Sequence, residues 1–271
     1  MKLHSNFHHH FQCWIGSLLL LLIGITSIWA PWLAPCDPLE QNLLNRLTPP
    51  CKAYPLGTDQ LGRCVLSRLI HGARNSVGGA LTASFLSIII GLGVGVSAAL
   101  GGSHIAILFT AVIDMALALP GLILALVIAG LLGASLQSLV IGLVMASWPW
   151  WARLTRGLTL SAWEKEYVLA GRVVGISVSR LILYYILPQL KAPLLAAAAL
   201  KTGWIILAFA GLSYLGLGPA PPEPEWGRML QEAGIYMTQA PWLMLAPGAA
   251  VTLTVLALNL LGEAVEQKET L

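Results

Sequence analysis

Charge is what this sequence has least of. Only 10% of its 271 residues are Asp, Glu, Lys or Arg, against about a quarter in an ordinary soluble domain. A chain this poor in charge cannot cover itself with a polar surface, which excludes a free-standing water-soluble enzyme. Its net charge of +3 is too small and too dispersed for a nucleic-acid-binding protein. Apolar and polar residues do not alternate over stretches of about ten, so a transmembrane β-barrel is excluded as well. The four cysteines form no CxxC pair and no zinc-finger spacing. No P-loop, nucleophile elbow or HExxH motif is present. No catalytic residue, metal site or bound cofactor is therefore expected in the chain itself.

What the sequence has in quantity is apolar length, with 57% hydrophobic residues. Runs of roughly 20 residues suffice to cross a hydrocarbon core of about 30 Å as helices. The expected fold is an all-α polytopic membrane protein with six spans, near Ile15–Leu33, Val77–Leu100, Ile105–Leu132, Leu136–Leu154, Pro193–Leu217 and Trp242–Leu261. This divides the chain into a tail over 1–14, a first transmembrane helix over 15–34 and an extracytoplasmic loop over 35–76. A transmembrane core over 77–262, interrupted by a polar loop at 156–190, precedes a tail over 263–271. Arg153, Arg156, Lys165, Arg172, Arg180 and Lys191 gather around the polar loop. The positive-inside rule places that loop, and with it both termini, in the cytoplasm.

Smaller features carry less weight. Cys36, Cys51 and Cys64 fall in one loop; a single disulfide and free thiols both remain open. The histidines of "HSNFHHH" (His4, His8, His9 and His10) are read as part of a solvated tail. Gly91 and Gly95 form a GxxxG pair, read as helix packing.

The polar loop is the unusual feature. Wound as a helix, Ala162 to Gly175 puts Trp163, Tyr167, Ala170 and Val174 on one face, with Glu164, Lys165 and Arg172 elsewhere. Such a helix is too short and too charged to span. It either lies on the headgroups or meets a protein. Ala170, Gly171 and Gly175 would let a partner approach the backbone closely. "ILP" at 186–188 is expected to break the following helix and set its entry angle.

"EYVLAGRVVG" (Glu166 to Gly175) followed by "YILP" (Tyr185 to Pro188) resembles the EAA motif of ABC importer permeases. Leu169, Gly171 and Tyr185 depart from its consensus, as in the oligopeptide/dipeptide/nickel branch. "PLGTDQLGRCVLSRLIHGARNSV" (Pro55 to Val77), "SWPWWARLTRG" (Ser147 to Gly157) and "GLSYLGLGPAPPEPEWGRML" (Gly211 to Leu230) resemble the C-type permeases of that branch. Cys64 stands where an acid is usual. The resemblance extends from about residue 31 to residue 262. It implies a type I importer permease with a cytoplasmic coupling helix, in a bacterial inner membrane. Implied partners are a second homologous permease, two cytoplasmic ATPase subunits that bind ATP and Mg, and an extracytoplasmic substrate-binding protein. The ATPase-coupling candidates are then Glu166, Ala170, Gly171, Gly175, Leu187 and Pro188. The outer loop supplies docking candidates Glu223, Glu225, Trp226 and Arg228.

Two charges fall inside spans, each costing about 3 kcal/mol on insertion scales. Asp114 and Lys201 are expected to face the pathway or a subunit interface, near one another, and Pro120 is expected to kink the third span. The competing function is an ion-gradient-driven transporter using Asp114 and Lys201 as a relay. Such transporters usually show repeats and broken helices in matching positions, and the two halves of this sequence show none. A passive membrane scaffold would not need the amphipathic loop with its spaced glycines. Among cargoes carried by the branch, the short chain and "MTQAPWLMLAPG" (Met237 to Gly248) lean towards nickel or a metal chelate over peptides.

Overall fold

The computed structural model describes the backbone of residues 2–269 and the side chains of residues 13–266; the N-terminal histidines fall outside those described side chains. Among the described residues the chain is helical between loops, with one isolated bridge, Thr58 to Cys64. The principal helices are α1 (Lys2–Ile28), α2 (Val65–Leu100), α3 (Ser103–Leu117), α4 (Gly121–Leu132) and α5 (Leu136–Trp163). They are followed by α6 (Glu166–Val173), α7 (Leu187–Leu212), α8 (Trp226–Ala233) and α9 (Trp242–Glu269).

Among the described residues, three helical stretches are long and apolar enough to cross a membrane: Val65–Leu100, Val178–Leu217 and Trp242–Glu266. The third expected span is not a kinked helix. It is broken into α3 and α4, which meet at 85°, and only as a pair do they count as a crossing. Pro120 is the N-cap of α4, with φ −61° and ψ 114°. Its ring removes one donor and pushes Leu119 away from helical backbone, so the chain turns instead of bending. Helix α2 begins at Val65, well inside the segment expected to be loop, and α5 runs on to Trp163.

"ILP" does not break a helix either. A wide turn at Ile182–Ile186 leads straight into α7, with Pro188 in its first turn. Proline clashes with the carbonyl four residues back. The wider winding accommodates that clash, so the helix runs on through Pro188 as far as a kink at Gly216 (φ +91°).

Small residues set the packing, as required where lipid removes the hydrophobic drive between helices. Gly91 lies against Trp151, and a Cβ on Gly95 would come 2.6 Å from the Ala152 carbonyl. The GxxxG pair is thus the seam between α2 and α5. Likewise a Cβ on Gly142 of α5 would come 2.7 Å from the Ala125 carbonyl of α4. The central core joins Ala80 and Ala83 of α2, Leu139 and Leu143 of α5, and Ile205 and Phe209 of α7.

Candidate functional site

Helix α6 lies outside all the candidate spans. Glu166 stands in its first turn and Arg172 in its last, both favourable to the helix dipole. Its C-terminus closes with two reversed hydrogen bonds: Ile176 N–H to Gly171 O, 3.0 Å, and Gly175 N–H to Arg172 O, 3.0 Å. This cap needs a left-handed residue, and Gly175 supplies it at φ +83°. Gly175 is therefore first a terminator of the helix. Gly171, expected to be open to a partner, is instead covered from within: a Cβ there would meet Leu181 at 2.8 Å.

Val168 alone of the large side chains of α6 is fully buried. It packs with Ala162, Ile186 and Leu190, against Leu100 and Leu158. The opposite side is bare. Val173 and Val174 are 87% and 82% exposed, and Tyr167 and Leu169 are also exposed. Glu166 and Ala170 lie on this open surface, and Pro188 is exposed nearby, while Leu187 is half-buried. Arg172 leans over the Trp163 ring at 4.7 Å. The result is a rigidly seated helix presenting an apolar, uncovered face. Leu169 and Val173 were missed in the sequence, since the helical plot gave no sign of which face the rest of the chain would cover.

Asp114 and Lys201 do not pair. Arg153 of α5 donates to Asp114 at 2.6 Å, with both side chains more than half exposed. Lys201 lies between Trp150 and Trp204, its ammonium 5.1 and 4.1 Å from the ring centroids. These three line a cavity of about 510 Å³ with Leu154, Pro193 and Glu266. Trp204, one helical turn from Lys201, was the local signal for this cage.

At the other end of α2, the loop residues expected to dock a partner are partly spent on the fold. Glu225 is fully buried. It accepts hydrogen bonds from the N–H groups of Gly227 and Arg228, 2.9 and 2.8 Å, capping α8. It also accepts from the hydroxyls of Ser76 at 2.7 Å and of Ser213. Trp226, 3% exposed, donates its indole N–H to the Leu69 carbonyl at 2.9 Å. A buried acid with every oxygen occupied and a buried indole offer nothing to dock on. Glu223 remains exposed and Arg228 half-exposed.

Beside them lies a buried charge cluster. Asp59 accepts from Arg63 and Arg68, each at 2.6 Å, and Glu232 of α8 accepts from the same two guanidiniums at 3.1 and 2.9 Å. Burial alone would raise the Glu232 pKa. The Arg68 and Arg63 charges, with a hydrogen bond from Gln60, outweigh it and hold the carboxyl below its usual range. Among the described residues the four cysteines are free thiols.

A broken apolar span, a seated helix outside the spans and a cavity beside a caged cation define a multi-helix membrane component with an uncovered apolar helix face. Residues 87–270 match the family described as binding-protein-dependent transport system inner membrane component, and residues 7–50 match the N-terminal transmembrane domain of oligopeptide transport permease C. The chain belongs to this family, in its oligopeptide/dipeptide/nickel ABC permease branch. It is 40% identical over 265 residues to the di/tripeptide transport system permease protein DppC of Pseudomonas aeruginosa, covering 96% of this chain and 88% of that one. It is 38% identical over 246 residues to the nickel transport system permease protein NikC of Escherichia coli K12, covering 91% and 88%. The MetNI methionine ABC transporter in an inward-facing conformation shares the fold, with a TM-score of 0.61 at 18% identity over 74% of this chain and 95% of that one.

Proposed function

We propose that this chain is one permease subunit of an ATP-driven, binding-protein-dependent importer, forming half of a translocation pathway with six crossings. ATP hydrolysis takes place in a separate subunit that docks on α6. One observation carries this reading: a helix outside the membrane, anchored by Val168, leaves Tyr167, Leu169, Val173 and Val174 uncovered. Exposed apolar patches of this kind mark protein interfaces. Conversion of ATPase closure into a swing between inward-open and outward-open states is then a rigid-body movement of the bundle through α6.

The mid-helix charges fit the same reading. Asp114 with Arg153 is exposed on this subunit, Lys201 is half-buried in its tryptophan cage, and all three would be costly against lipid. They face water in the pathway or the second permease. Lys201 suits a cargo that bears an anionic group, such as a peptide carboxylate or an anionic metal chelate. The relatives named for di/tripeptides and for nickel support small peptides or nickel complexes as the cargo. The test is purification of the tagged chain from native membranes in mild detergent, with mass spectrometry of what accompanies it. Two ATPase subunits and a homologous permease are expected. If the chain purifies alone, and uptake persists in cells depleted of ATP while a proton gradient is held, the ATP-driven reading is wrong.

A further inference from the structure

The segment between α1 and α2 holds three of the four cysteines, and the fold treats them differently. Cys51 is exposed, its backbone N–H bonded to Tyr54 O at 2.9 Å within a local turn. Cys64 is 2% exposed and is the N-cap of α2. Its side chain makes no capping hydrogen bond, so the thiol is not engaged in holding the helix. Cys36 is brought to the same place by two contacts. The short helix Ala30–Leu33 packs on α2, and the Cys36 N–H donates to Ser67 Oγ, one turn into α2, at 3.1 Å. Ser67 stands three residues after Cys64, so this hydrogen bond seats Cys36 beside the turn that carries Cys64. The pair is held by backbone contacts that need no bond between the sulfurs.

We propose that Cys36 and Cys64 are a disulfide site, oxidised once the segment reaches an oxidising compartment outside the membrane. The proposal rests on the orientation read above, with residues 35–76 extracytoplasmic. Cys36, the more accessible of the two, attacks the disulfide of an external thiol–disulfide oxidase and forms a mixed disulfide. Cys64 then displaces the oxidase sulfur. One S–S bond forms in this chain and one is broken in the oxidase, which leaves as a dithiol carrying the two electrons and two protons. Burial, then the neighbouring Cys64 sulfur, raises the Cys36 pKa, which favours its thiol form and leaves oxidation dependent on the exchange partner. The bond ties the exit of α1 to the start of α2. It encloses the loop carrying Asp59 and Arg63, which restricts the unfolded chain most.

The test uses the full chain in whole cells. A membrane-impermeant maleimide is applied first, then cells are lysed in N-ethylmaleimide and the protein is digested without reduction. The expected result is Cys51 labelled from outside, together with a cross-linked peptide joining Cys36 to Cys64. Reduction should lower the Tm of the purified wild type by several degrees, and leave that of C36S/C64S unchanged. If Cys51 is labelled from outside while Cys36 and Cys64 are recovered alkylated by N-ethylmaleimide, the disulfide is refuted and the orientation stands. If Cys51 is labelled only after lysis, the orientation is wrong and the disulfide fails with it. The wild-type map decides the matter even if the double variant does not fold.

Discussion

The two ends of α2, roughly 54 Å apart along a 36-residue helix, solve opposite problems. Near Arg68 the chain turns polar residues inward. Asp59, Arg63, Arg68 and Glu225 are all buried, and each is matched by charges, hydroxyls or backbone N–H groups. Near Leu100 it turns apolar residues outward, leaving Val173 and Val174 bare on a helix that is otherwise well seated. The first arrangement pairs its carboxylates within the chain. The second leaves apolar surface uncovered, which is the surface proposed above to receive another protein. A motif rich in charged residues can thus be spent on the fold, while a short amphipathic motif leaves apolar side chains open.

The comparison breaks most visibly at the polar end. Arg68→Met leaves Asp59 and Glu232 facing each other with one guanidinium fewer. Loss of one partner from a buried ion network costs about 3–5 kcal/mol. The expected outcome is a large drop in monodisperse protein on size exclusion and a much lower Tm. At the α6 end the sensitive position is backbone. Gly175→Val forces a branched residue into left-handed geometry at φ +83°, at about 1–2 kcal/mol. Gly175→Asn should recover part of the lost Tm, since Asn tolerates that region.

A smaller effect sharpens the contrast through pH. Glu232 has a folded-state pKa below its ordinary 4.5. Its contribution to stability is therefore fully present above that value and is lost as pH falls from about 4.5 through the folded pKa. Tm measured between pH 7 and pH 3.5 should fall more steeply in this window for wild type than for Glu232→Gln.

Much of the architecture was legible in the sequence because it follows from composition. Apolar length announced helices in a membrane, and the polar interruption around Glu166–Gly175 announced a helix that does not span. What composition does not carry is direction. Helical spacing grouped Trp163, Tyr167, Ala170 and Val174, yet only the tertiary fold decides that Val168 and Gly171 point inward and Leu169 and Val173 outward. Pro120 was visible as a disturbance, but a kink and an 85° break differ only in how neighbouring helices pack. Glu225 looked like a surface charge in a proline-rich loop. The serines that accept it into the interior, Ser76 and Ser213, lie far away in sequence or on another element. Asp114 and Lys201 shared the property of being charges in apolar surroundings. The real partners, Arg153 for one and two indole rings for the other, come from α5 and from the next turn of α7.

The most direct measurement places one charge on the uncovered face. Val173→Arg, at a position 87% exposed, should leave Tm within the small range typical of exposed substitutions, about 0.5 kcal/mol. In the same preparation the ATPase subunits that accompany the wild-type chain should be lost, while the second permease remains. If Val173→Arg retains the ATPases at wild-type stoichiometry and transport is undiminished, α6 is not the docking helix and the central comparison fails.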